Sequence, residues 1–431
     1  MWNRRSIEEV AKSTFSSVFC KPLYESYCFS RIPATIEHLL LGNCGDNALP
    51  SDCFHVKDGG YDMVVLFLLD AFGWSFFEKR IGRYPFLSRF LQDGIVSKIT
   101  SQFPSTTAAH VTTLNSGQEV GQTGVYEWFY YEPKVDRIIA PLLFSIAGAK
   151  SLGNLEKLGI TPQQIFPSNT FYLHLKKQKI DSYVVQPENI IHSPYSQAMS
   201  LGAHPISYLD FPEGLKTVVE AANTVSSTKS YFMVYFPDID AAGHRHGVES
   251  QEFDAAIDLC MTQLEEFFMQ GITIKDKKIA CLVTADHGMV SVDPKGTCFV
   301  NQEIPRITTL IEKNKVGALV APAGSCRDLF FHFKKECLDE GLLLLRAHLQ
   351  GKAECYKVTD LIDAGFFGRH PVSKEFLSRV GNVVVLPFEG QAVWWYEKGR
   401  FEQHFYGAHG GLTRPEMESI FLFHEFTSRK T

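Results

Sequence analysis

Short apolar runs rich in β-branched and aromatic residues alternate along the chain with longer segments whose apolar residues recur at helical spacing. A run of about four to eight such residues is typical of a buried strand, and strands separated by helices indicate a parallel sheet. The predicted strands cover residues 63–69, 182–186, 231–236, 279–284, 382–386 and 420–423. This pattern predicts an α/β fold with helices on both faces of a mainly parallel central sheet.

Two segments predict amphipathic helices. Residues 74–92 carry apolar side chains at helical spacing and are followed by Gly94, which is a typical stop signal. Residues 252–269 show the same spacing without an interruption. Both segments follow predicted strands, as expected for helices that cover the faces of a parallel sheet.

The pattern changes near residue 293 to a mixture of short helices and strands. It includes a predicted strand pair, near Val383 and at residues 392–396, with Gly390 in the turn. A chain of 431 residues also exceeds the usual size of one compact domain. The expected parts are an N-terminal segment of residues 1–62 that packs on the core, a catalytic domain of residues 63–292 and 404–431, and an inserted, cap-like α+β lobe of residues 293–403.

Composition excludes several classes of partner. The formal net charge is -6 and no strong basic field exists, so general binding to nucleic acid or to anionic membranes is not expected. The longest apolar run, residues 63–69, is too short to span a bilayer, and no secretory signal is visible. The 10 cysteines are scattered and form no CxxC pair. We therefore expect reduced thiols in a cytoplasmic protein.

Aspartate and histidine residues stand beside predicted strands at four points of the chain. Ligands of open α/β sheets bind outside the carboxyl ends of the strands, so three of these clusters should meet at one rim. One such motif alone is more often a helix cap or a turn, but four in this order are hard to explain structurally. The clusters are Asp70; Asp240 with His244; Asp286 with His287; and His409.

Together these residues offer three carboxylates and three imidazoles, with no thiolate. Such a donor set suits Zn²⁺, or Mn²⁺ where oxygen ligands dominate. Six side chains are too many for one tetrahedral catalytic metal that keeps an open position. They divide well into two sites of three, so we expect two divalent ions.

A nucleophile segment, QFPSTTAAHVTTLNSG, lies between the first and second clusters. The small residues after Thr107 predict a helix start, where a hydroxyl sits in a positive field and N–H groups can meet a phosphate oxygen. A nearby metal would activate such a hydroxyl as a nucleophile. Ser105, Thr106 and Thr107 all qualify, and each of them is equally suited to cap the helix.

At this point the chain resembles the alkaline phosphatase superfamily, and within it the type I phosphodiesterase/nucleotide pyrophosphatase family, with phosphonoacetate hydrolase nearby. The resemblance runs from about Met63 to Phe423 and implies an alkaline-phosphatase-like fold. The sulfatase signature C/S-x-P-x-R is absent. The matching positions are Pro104, Ser105, Thr107 and Gly117 for the nucleophile motif; Asp240, Gly243, His244 and Gly247 for D-x-x-G-H-x-x-G; residues 285–289 for A-D-H-G-M; and residues 409–412 for H-G-G-L.

The resemblance implies a role for each of these residues. Its ungapped register places the nucleophile on Thr107, which attacks phosphorus in line and forms a phospho-threonine that water then hydrolyses. The metal ligands that it implies are Asp240, His244 and His409 for one ion, and Asp70, Asp286, His287 and Thr107 for the other.

An aromatic group, Trp128, Phe129 and Tyr130 with the neighbouring Tyr131, follows the nucleophile helix. It is a candidate to stack on a nucleobase or to hold an aryl or lipid group, and core packing is an equal alternative. Trp128 also stands where animal members of the family have an asparagine that contacts a phosphate oxygen. That phosphate contact therefore has no assigned residue in this chain.

Several further polar residues have open roles. Asp238 is expected to support a histidine, with a swap against Asp240 as the alternative, and His110 and His246 are expected either to bind phosphate or to be structural. Within the lobe, Arg327 and Asp328 are candidates to face the cleft.

The leading hypothesis is a hydrolase of phosphodiester or nucleotide pyrophosphate bonds that acts on a small-molecule ester, diester or nucleotide. A phosphonate hydrolase of the phosphonoacetate hydrolase type is the first alternative, because the same metals would serve it. The second is a catalytically silent, metal-stabilised binding protein. The presence of Thr107 and of all six ligand candidates argues against a catalytically silent protein.

Overall fold

The computed structural model describes residues 1–42, 45, 47–149, 151–224, 228–273 and 277–426. The four strands predicted among its first 300 residues are present, together with further strands that were not predicted. The strands are β1 (Met63–Leu69), β2 (Gly94–Thr100), β3 (Tyr130–Glu132), β4 (Arg137–Ala140), β5 (Ser145–Ile146), β6 (Ile180–Pro187), β7 (His204–Tyr208), β8 (Lys229–Phe236), β9 (Ile279–Thr284), β10 (Val290–Ser291), β11 (Cys298–Phe299), β12 (Ala323–Ser325), β13 (Asp328–Phe331), β14 (Ala353–Lys357), β15 (Val383–Pro387), β16 (Val393–Trp394), β17 (Gly407–Ala408) and β18 (Glu418–Phe426).

Helices separate most of these strands. A π-helical segment, Leu264–Met269, extends α13, so the amphipathic helix predicted at residues 252–269 is present. The α-helices are α1 (Arg4–Lys12), α2 (Ile32–Leu41), α3 (Trp74–Glu78), α4 (Pro85–Asp93), α5 (Thr107–Ser116), α6 (Val120–Thr123), α7 (Pro162–Ile165), α8 (Phe171–Lys177), α9 (Glu188–Ile191), α10 (Pro194–Met199), α11 (Phe211–Asn223), α12 (Asp238–His246), α13 (Gln251–Gln263), α14 (Val300–Glu303), α15 (Ile307–Leu310), α16 (Leu338–His348), α17 (Val358–Asp363), α18 (Lys374–Arg379) and α19 (Arg414–Met417).

Within the described residues, a seven-stranded sheet of order β2-β18-β9-β1-β8-β6-β7 forms the centre of the molecule. Strands β9, β1, β8, β6 and β7 run parallel, whereas β18 is antiparallel to both β9 and β2. Alternate side chains of β1 enter hydrophobic clusters on opposite faces of this sheet. The predicted α/β fold with a mainly parallel sheet between helices is confirmed.

The helix predicted over residues 74–92 is wrong in its continuity. The chain forms α3 and α4 instead, and Pro85 begins the second helix. Tyr84 before it is extended, because the proline ring disfavours helical backbone in the preceding residue. The predicted stop at Gly94 is present, because α4 ends at Asp93 with Gly94 as its C-cap, and the extended backbone of Gly94 also begins β2.

A smaller antiparallel sheet of order β12-β13-β15-β14 lies between residues 323 and 387. The predicted pairing of the strand near Val383 with residues 392–396 is wrong: β15 pairs with β13 and β14, while β16 pairs with β11. The buried guanidinium of Arg327 explains this, because it binds the carbonyl groups of Pro387, Phe388 and Gln391 and so holds the connecting turn away from a hairpin.

Helices α1 and α2 of the N-terminal segment pack on the central sheet. The N–H group of Asn3 donates to the carbonyl of Val96 at 2.8 Å, which places α1 beside β2, and α2 contacts β1 and β8. The proposed division at residues 62, 292 and 403 stays a prediction, and residues 427–431 at its end lie outside the described residues. No helix among the described residues is both long and apolar enough to cross a membrane.

Candidate active site

The first group of predicted ligands lies at the carboxyl ends of β1 and β9. Asp70 follows β1, whereas Asp286 and His287 follow β9, and all three side chains are buried. The Nε2 atom of His287 is 3.5 Å from Oδ1 of Asp70 and 3.3 Å from Oδ2 of Asp286. We call Asp70, Asp286 and His287 the inner group.

The second group adjoins the first. Asp240 and His244 lie one turn apart on α12, and His409 lies in the loop after β17. Nε2 of His244 is 3.2 Å from Nε2 of His409, and Oδ1 of Asp240 is 3.4 Å and 3.5 Å from these two nitrogens. We call Asp240, His244 and His409 the outer group. The rings of His287 and His409 stack with 3.6 Å between centroids, so the fold brings all six predicted ligands together.

The three imidazoles share one orientation. Each ring uses Nδ1 to donate to a backbone carbonyl and leaves Nε2 directed at the cluster. Metal-ligating histidines are commonly held in this way, because the bond at one nitrogen fixes the tautomer and frees the other nitrogen for a cation. The pairs are His244 with Gly407 at 2.8 Å, His287 with Gly288 at 3.0 Å, and His409 with Ser105 at 3.0 Å.

Burial determines the charge state of this cluster. Burial and the neighbouring carboxylates raise the pKa of Asp70 well above its usual value, and burial also raises the pKa of Asp286 and brings that of Asp240 to about 6. Burial lowers the pKa of His287 and His409 well below the ordinary value, so both rings are neutral. Among the described residues, the ion pairs of this cluster join its carboxylates to histidines, and no lysine or arginine pairs with it.

This donor set fits two divalent cations. Among the described residues, Oδ1 of Asp240 and Oδ2 of Asp286 are buried without a hydrogen-bond partner, although such atoms are normally satisfied. Each faces a histidine Nε2 atom within 3.5 Å. Nitrogen and oxygen donors, with no thiolate among them, match a catalytic Zn²⁺ site or an oxygen-richer Mn²⁺ site.

The three candidate hydroxyls have different surroundings. Thr107 begins α5, and its Oγ1 atom is 3.1 Å from Nε2 of His287 and 3.4 Å from Oδ1 of Asp70. Thr106 is the N-cap: its hydroxyl donates to the carbonyl of Tyr126 at 3.1 Å and accepts from the N–H group of Ala109. Ser105 donates to the carbonyl of Gly411 at 2.8 Å. Of the three, Thr107 faces the cluster and the other two face the backbone.

The structure shows where three of the residues with open roles lie. His110 is fully buried, with Nε2 accepting from the N–H group of Gln102 and Nδ1 donating to the carbonyl of Thr106, which makes it a structural link between the end of β2 and α5. Asp238 and His246 are exposed on α12. They do not join the cluster, whereas Asp240 on the same helix does.

A cleft of about 500 Å³ opens beside Thr107 and the outer group. Trp128 and Phe129 line it, and Trp128 is 39% exposed, while their role in substrate binding stays a prediction. Tyr130 differs from its predicted role in substrate binding, because its ring is fully buried against Tyr126 and Arg379 and does not line the cleft. Strand β3 begins at Tyr130 and turns that side chain into the core.

The sequence prediction missed much of this cleft. Its further lining includes aromatic rings and two arginines that come from the chain after residue 240. The aromatic run at 394–396 is a visible signal, but only tertiary packing places one of its rings in the wall. The missed residues are Trp394, Phe401, Phe405, Arg245, Arg400 and Glu127.

Glu127 forms a buried carboxyl pair with Asp328 at the edge of the cleft. Burial raises the pKa of Glu127 to about 8 and, with the charge of Glu127, raises that of Asp328 well above its usual value. The raised pKa of Glu127 means that this pair keeps a proton at neutral pH. The N–H group of Trp128 donates to Glu127, so the pair holds the base of the aromatic wall.

Neither Arg327 nor Asp328 faces the cleft as predicted, because both are fully buried, although Asp328 pairs with Glu127, which lines it. The guanidinium of Arg327 is fully buried in a two-bond ion pair with Glu416, at 2.9 Å for each bond, and in the carbonyl contacts described above. Breaking such a pair is costly, because one buried charge would be left uncompensated. Arg327 is a structural residue that joins the lobe to the loop of His409.

The sequence motifs that contain these residues also identify the protein family. The model of the type I phosphodiesterase/nucleotide pyrophosphatase family matches residues 64–412, which is most of the chain. The chain belongs to this family. It is a family of phosphodiesterase and pyrophosphatase hydrolases of the metallo-hydrolase type, and the matched region contains all six cluster residues and Thr107. No curated protein sequence matches the chain.

Solved structures of the family and of the wider superfamily share the fold. Murine ectonucleotide pyrophosphatase/phosphodiesterase 5 aligns with a TM-score of 0.62 at 17% identity, over 84% of this chain and 87% of that one. A second murine structure, described as an inactive threonine-to-alanine variant in complex with AMP, aligns equally well at 16% identity. Phosphonoacetate hydrolase from Sinorhizobium meliloti 1021, in complex with phosphonoacetate, aligns with a TM-score of 0.56 at 15% identity, over 85% and 91% of the two chains.

Proposed function

We propose that this family member is a two-metal hydrolase that cleaves phosphodiester or nucleotide pyrophosphate bonds through a phospho-threonine intermediate. The position of Thr107 is the observation that carries this proposal. Its hydroxyl lies 3.1 Å and 3.4 Å from two inner-group side chains, whereas the hydroxyls of Ser105 and Thr106 bind backbone carbonyls. A nucleophile needs this placement beside activating groups.

The residues divide between two ions. The inner group and Thr107 would hold one, and the outer group would hold the other, with Zn²⁺ as the first candidate and Mn²⁺ as the second. When bound, the pair of cations supplies Lewis acidity to the phosphoryl and leaving-group oxygens. Tyr235 supports the inner group by donating its hydroxyl to Oδ2 of Asp70. Such outer contacts orient metal ligands and tune their basicity.

The chain's own groups explain how a phosphate ester would react. The Thr107 oxygen attacks phosphorus, the bond from phosphorus to the leaving oxygen breaks, and a threonine–phosphorus ester forms. Water then hydrolyses that ester and regenerates the hydroxyl. Thr107 is the first residue of α5, and the N–H groups at a helix start favour an anionic phosphate oxygen. Thr106 caps α5 and so fixes the helix start on which Thr107 is carried.

The cleft favours a substrate with an aromatic group. Rings of Trp128, Phe129, Trp394 and Phe401 line it beside the outer group, and such surfaces bind nucleobases and aryl groups by stacking. We therefore propose a nucleotide or an aryl-bearing diester as the substrate class. A phosphonate hydrolase is the second candidate, because the structure of phosphonoacetate hydrolase shares this fold.

Replacement of the nucleophile tests the proposal. Thr107→Ala should lower turnover of an aryl phosphodiester by several orders of magnitude, because nucleophile and metals act as one unit. Thr106→Ala is the matched control, one residue away, and should keep most activity because its hydroxyl binds the carbonyl of Tyr126. Thr107→Ser should keep part of the activity. The inactive threonine-to-alanine variant of the murine enzyme gives a precedent in the same fold.

Mass spectrometry of a rapidly quenched reaction should locate the phosphoryl ester on the peptide that contains Thr107. Near-full turnover of Thr107→Ala would contradict the covalent mechanism. The substrate panel should include a nucleotide, an aryl diester, a phosphomonoester and phosphonoacetate. Turnover of phosphonoacetate alone would favour the second candidate. No turnover of any substrate, with metal binding intact, would favour a silent binding protein.

A further inference from the structure

A second cluster of metal-binding side chains lies in the lobe. The thiol of Cys298, the carboxylate of Glu303 and the imidazole of His348 offer ligand atoms that all lie within 4.8 Å of one another. Nε2 of His348 is 2.9 Å from Oε2 of Glu303, and the Cys298 sulfur lies within 4.8 Å of the ligand atoms of both. None of these residues belongs to the inner or outer group.

The local structure holds the three ligands in place. Cys298 is 3% exposed and lies in β11, whose register with β16 fixes its position. Glu303 ends α14, which follows β11 directly, and His348 is the last residue of α16. The carboxyl end of an eleven-residue helix carries partial negative charge and favours a cation there. Side-chain exposures of 34% for His348 and 39% for Glu303 give a metal ion a path from solvent.

We propose that Cys298, Glu303 and His348 form a third cation site, specific for a borderline soft ion such as Zn²⁺ and separate from the catalytic cluster. Thiolate, imidazole and carboxylate are the three ligand types that proteins use for zinc. Bonds of about 2.0–2.3 Å place tetrahedral ligands roughly 3.3–3.8 Å apart, so the existing cluster needs only a small adjustment.

Binding of the ion at this site releases one proton and opens one hydrogen bond. The Cys298 thiol loses its proton to solvent and forms the sulfur–metal bond. The hydrogen bond between Glu303 and His348 opens, the neutral imidazole carries its proton on Nδ1, and Nε2 binds the ion. The thiolate and the carboxylate together neutralise the two charges of the cation, and water takes the fourth position. Lys352 also acts electrostatically on Cys298 and Glu303 and opposes the cation, which limits its affinity.

The site would join the end of α16 to β11. Because β11 pairs with β16, and Trp394 of β16 lines the cleft, the ion would stabilise one wall of the substrate site without touching substrate. Its role is structural. It is independent of the proposed catalytic chemistry, so either conclusion can fail without the other.

Cobalt titration of the full chain tests this inference. The protein is stripped of metal, titrated with Co²⁺ alone, and followed by near-ultraviolet absorption, where a sulfur-to-cobalt charge-transfer band reports a thiolate ligand. The inner and outer groups contain no thiolate, so they are silent in this band. We expect one band-forming ion per chain, loss of the band in Cys298→Ser, and its retention in Cys337→Ser, a half-buried lobe cysteine outside the cluster.

His348→Ala provides a second variant at an exposed position, in case Cys298→Ser fails to fold. It keeps the thiol and should weaken Co²⁺ binding in this band more than about tenfold, because a direct ligand is lost. Zn²⁺ should displace Co²⁺ and remove the band from the wild type. Absence of the band in the wild type, its persistence in Cys298→Ser, or unchanged affinity in His348→Ala would each overturn the proposal.

Discussion

The inner and outer groups contain the same kinds of ligand but sit in different surroundings. Side chains of the inner group are at most 2% exposed, whereas Asp240, His244 and His409 are 17%, 23% and 12% exposed. The inner ligands follow adjacent parallel strands, and the outer ligands come from a helix and a loop at the cleft. Depth therefore separates the half that contacts Thr107 from the half that borders the cleft and solvent.

Ligand substitution should reveal this difference most strongly. We expect Asp286→Asn to lower turnover at least roughly 10³-fold and to remove one ion, because the inner site also positions the nucleophile. Asp240→Asn should remove the other ion and lower turnover by a smaller factor, since Thr107 keeps its contacts. Both substitutions replace a carboxylate by an amide of nearly the same shape, and each changes a residue with a buried oxygen that has no hydrogen-bond partner. The two variants are therefore a matched pair. Metal analysis and aryl diester turnover measure the result.

A larger loss of turnover in Asp240→Asn than in Asp286→Asn would break the comparison, because the nucleophile would then depend on the outer half. Loss of both ions from either variant would instead show that the two sites bind cooperatively. Quenched-reaction mass spectrometry separates the steps. Asp286→Asn should form no phospho-threonine, whereas Asp240→Asn should form it slowly.

Metal removal should also distinguish the inner group from the outer group. An ion present at about 100-fold above its dissociation constant stabilises the fold by about 2.7 kcal/mol, so chelation should lower the melting temperature. The more exposed outer ion should leave first, and the buried inner ion should leave slowly. Melting curves and metal analysis, sampled together over time in a chelator, test this, with Zn²⁺ or Mn²⁺ added back as the control. A single release phase, or an unchanged melting curve after confirmed metal loss, would contradict it.

The inner group was predictable because each ligand follows a fully apolar strand. The observed bounds of β1 and β9 equal the predicted ones, since every residue in both strands is buried. By contrast, β2 was not predicted, because Ser97 and Lys98 interrupt its apolar pattern. Their polar atoms are satisfied by distant residues: Asn3 donates to Ser97 at 3.1 Å, and Lys98 contacts Glu418 at 2.7 Å.

The cleft was less predictable for a related reason. Trp394 and Phe401 come from the lobe, and only its packing against the central sheet directs their rings to the outer group. Adjacent residues also diverge: Trp128 and Phe129 line the cleft while Tyr130 enters the core, because a strand begins there and alternates its faces. Local composition shows an aromatic cluster but does not show which rings reach the ligand.

Trp128 provides a weaker test on the outer side. Trp128→Ala should raise the KM for an aryl diester or a nucleotide by up to roughly tenfold, since one aromatic contact contributes about 0.5–1.5 kcal/mol beyond its buried area. A dimethyl diester should be affected much less. Tyr130→Phe is the matched control, because its hydroxyl is buried without a partner among the described residues. Equal losses on aryl and dimethyl substrates would indicate packing, as for Tyr130.

The smallest expected effect concerns the carboxyl pair below the cleft wall. Burial raises the pKa of Glu127 to about 8, so between about pH 4.5, where the unfolded group titrates, and pH 8 the folded state holds a proton that the unfolded chain has released. The free energy of unfolding must therefore fall as pH rises through this window, by at most about 1.4 kcal/mol per pH unit for one proton. Glu127→Gln removes this proton and should flatten this contribution, so the variant gains stability relative to wild type from pH 5 to pH 8.

Asp328→Asn should remove the corresponding contribution of Asp328, whose pKa burial also raises, and its new amide oxygen can still accept from Ser325. Denaturant unfolding of metal-loaded proteins at several pH values measures the difference between variant and wild type, in which the titration of the metal ligands cancels. Parallel stability curves for wild type and both variants would mean that neither Glu127 nor Asp328 holds a proton in this pH window, and that the cleft wall is held by other contacts.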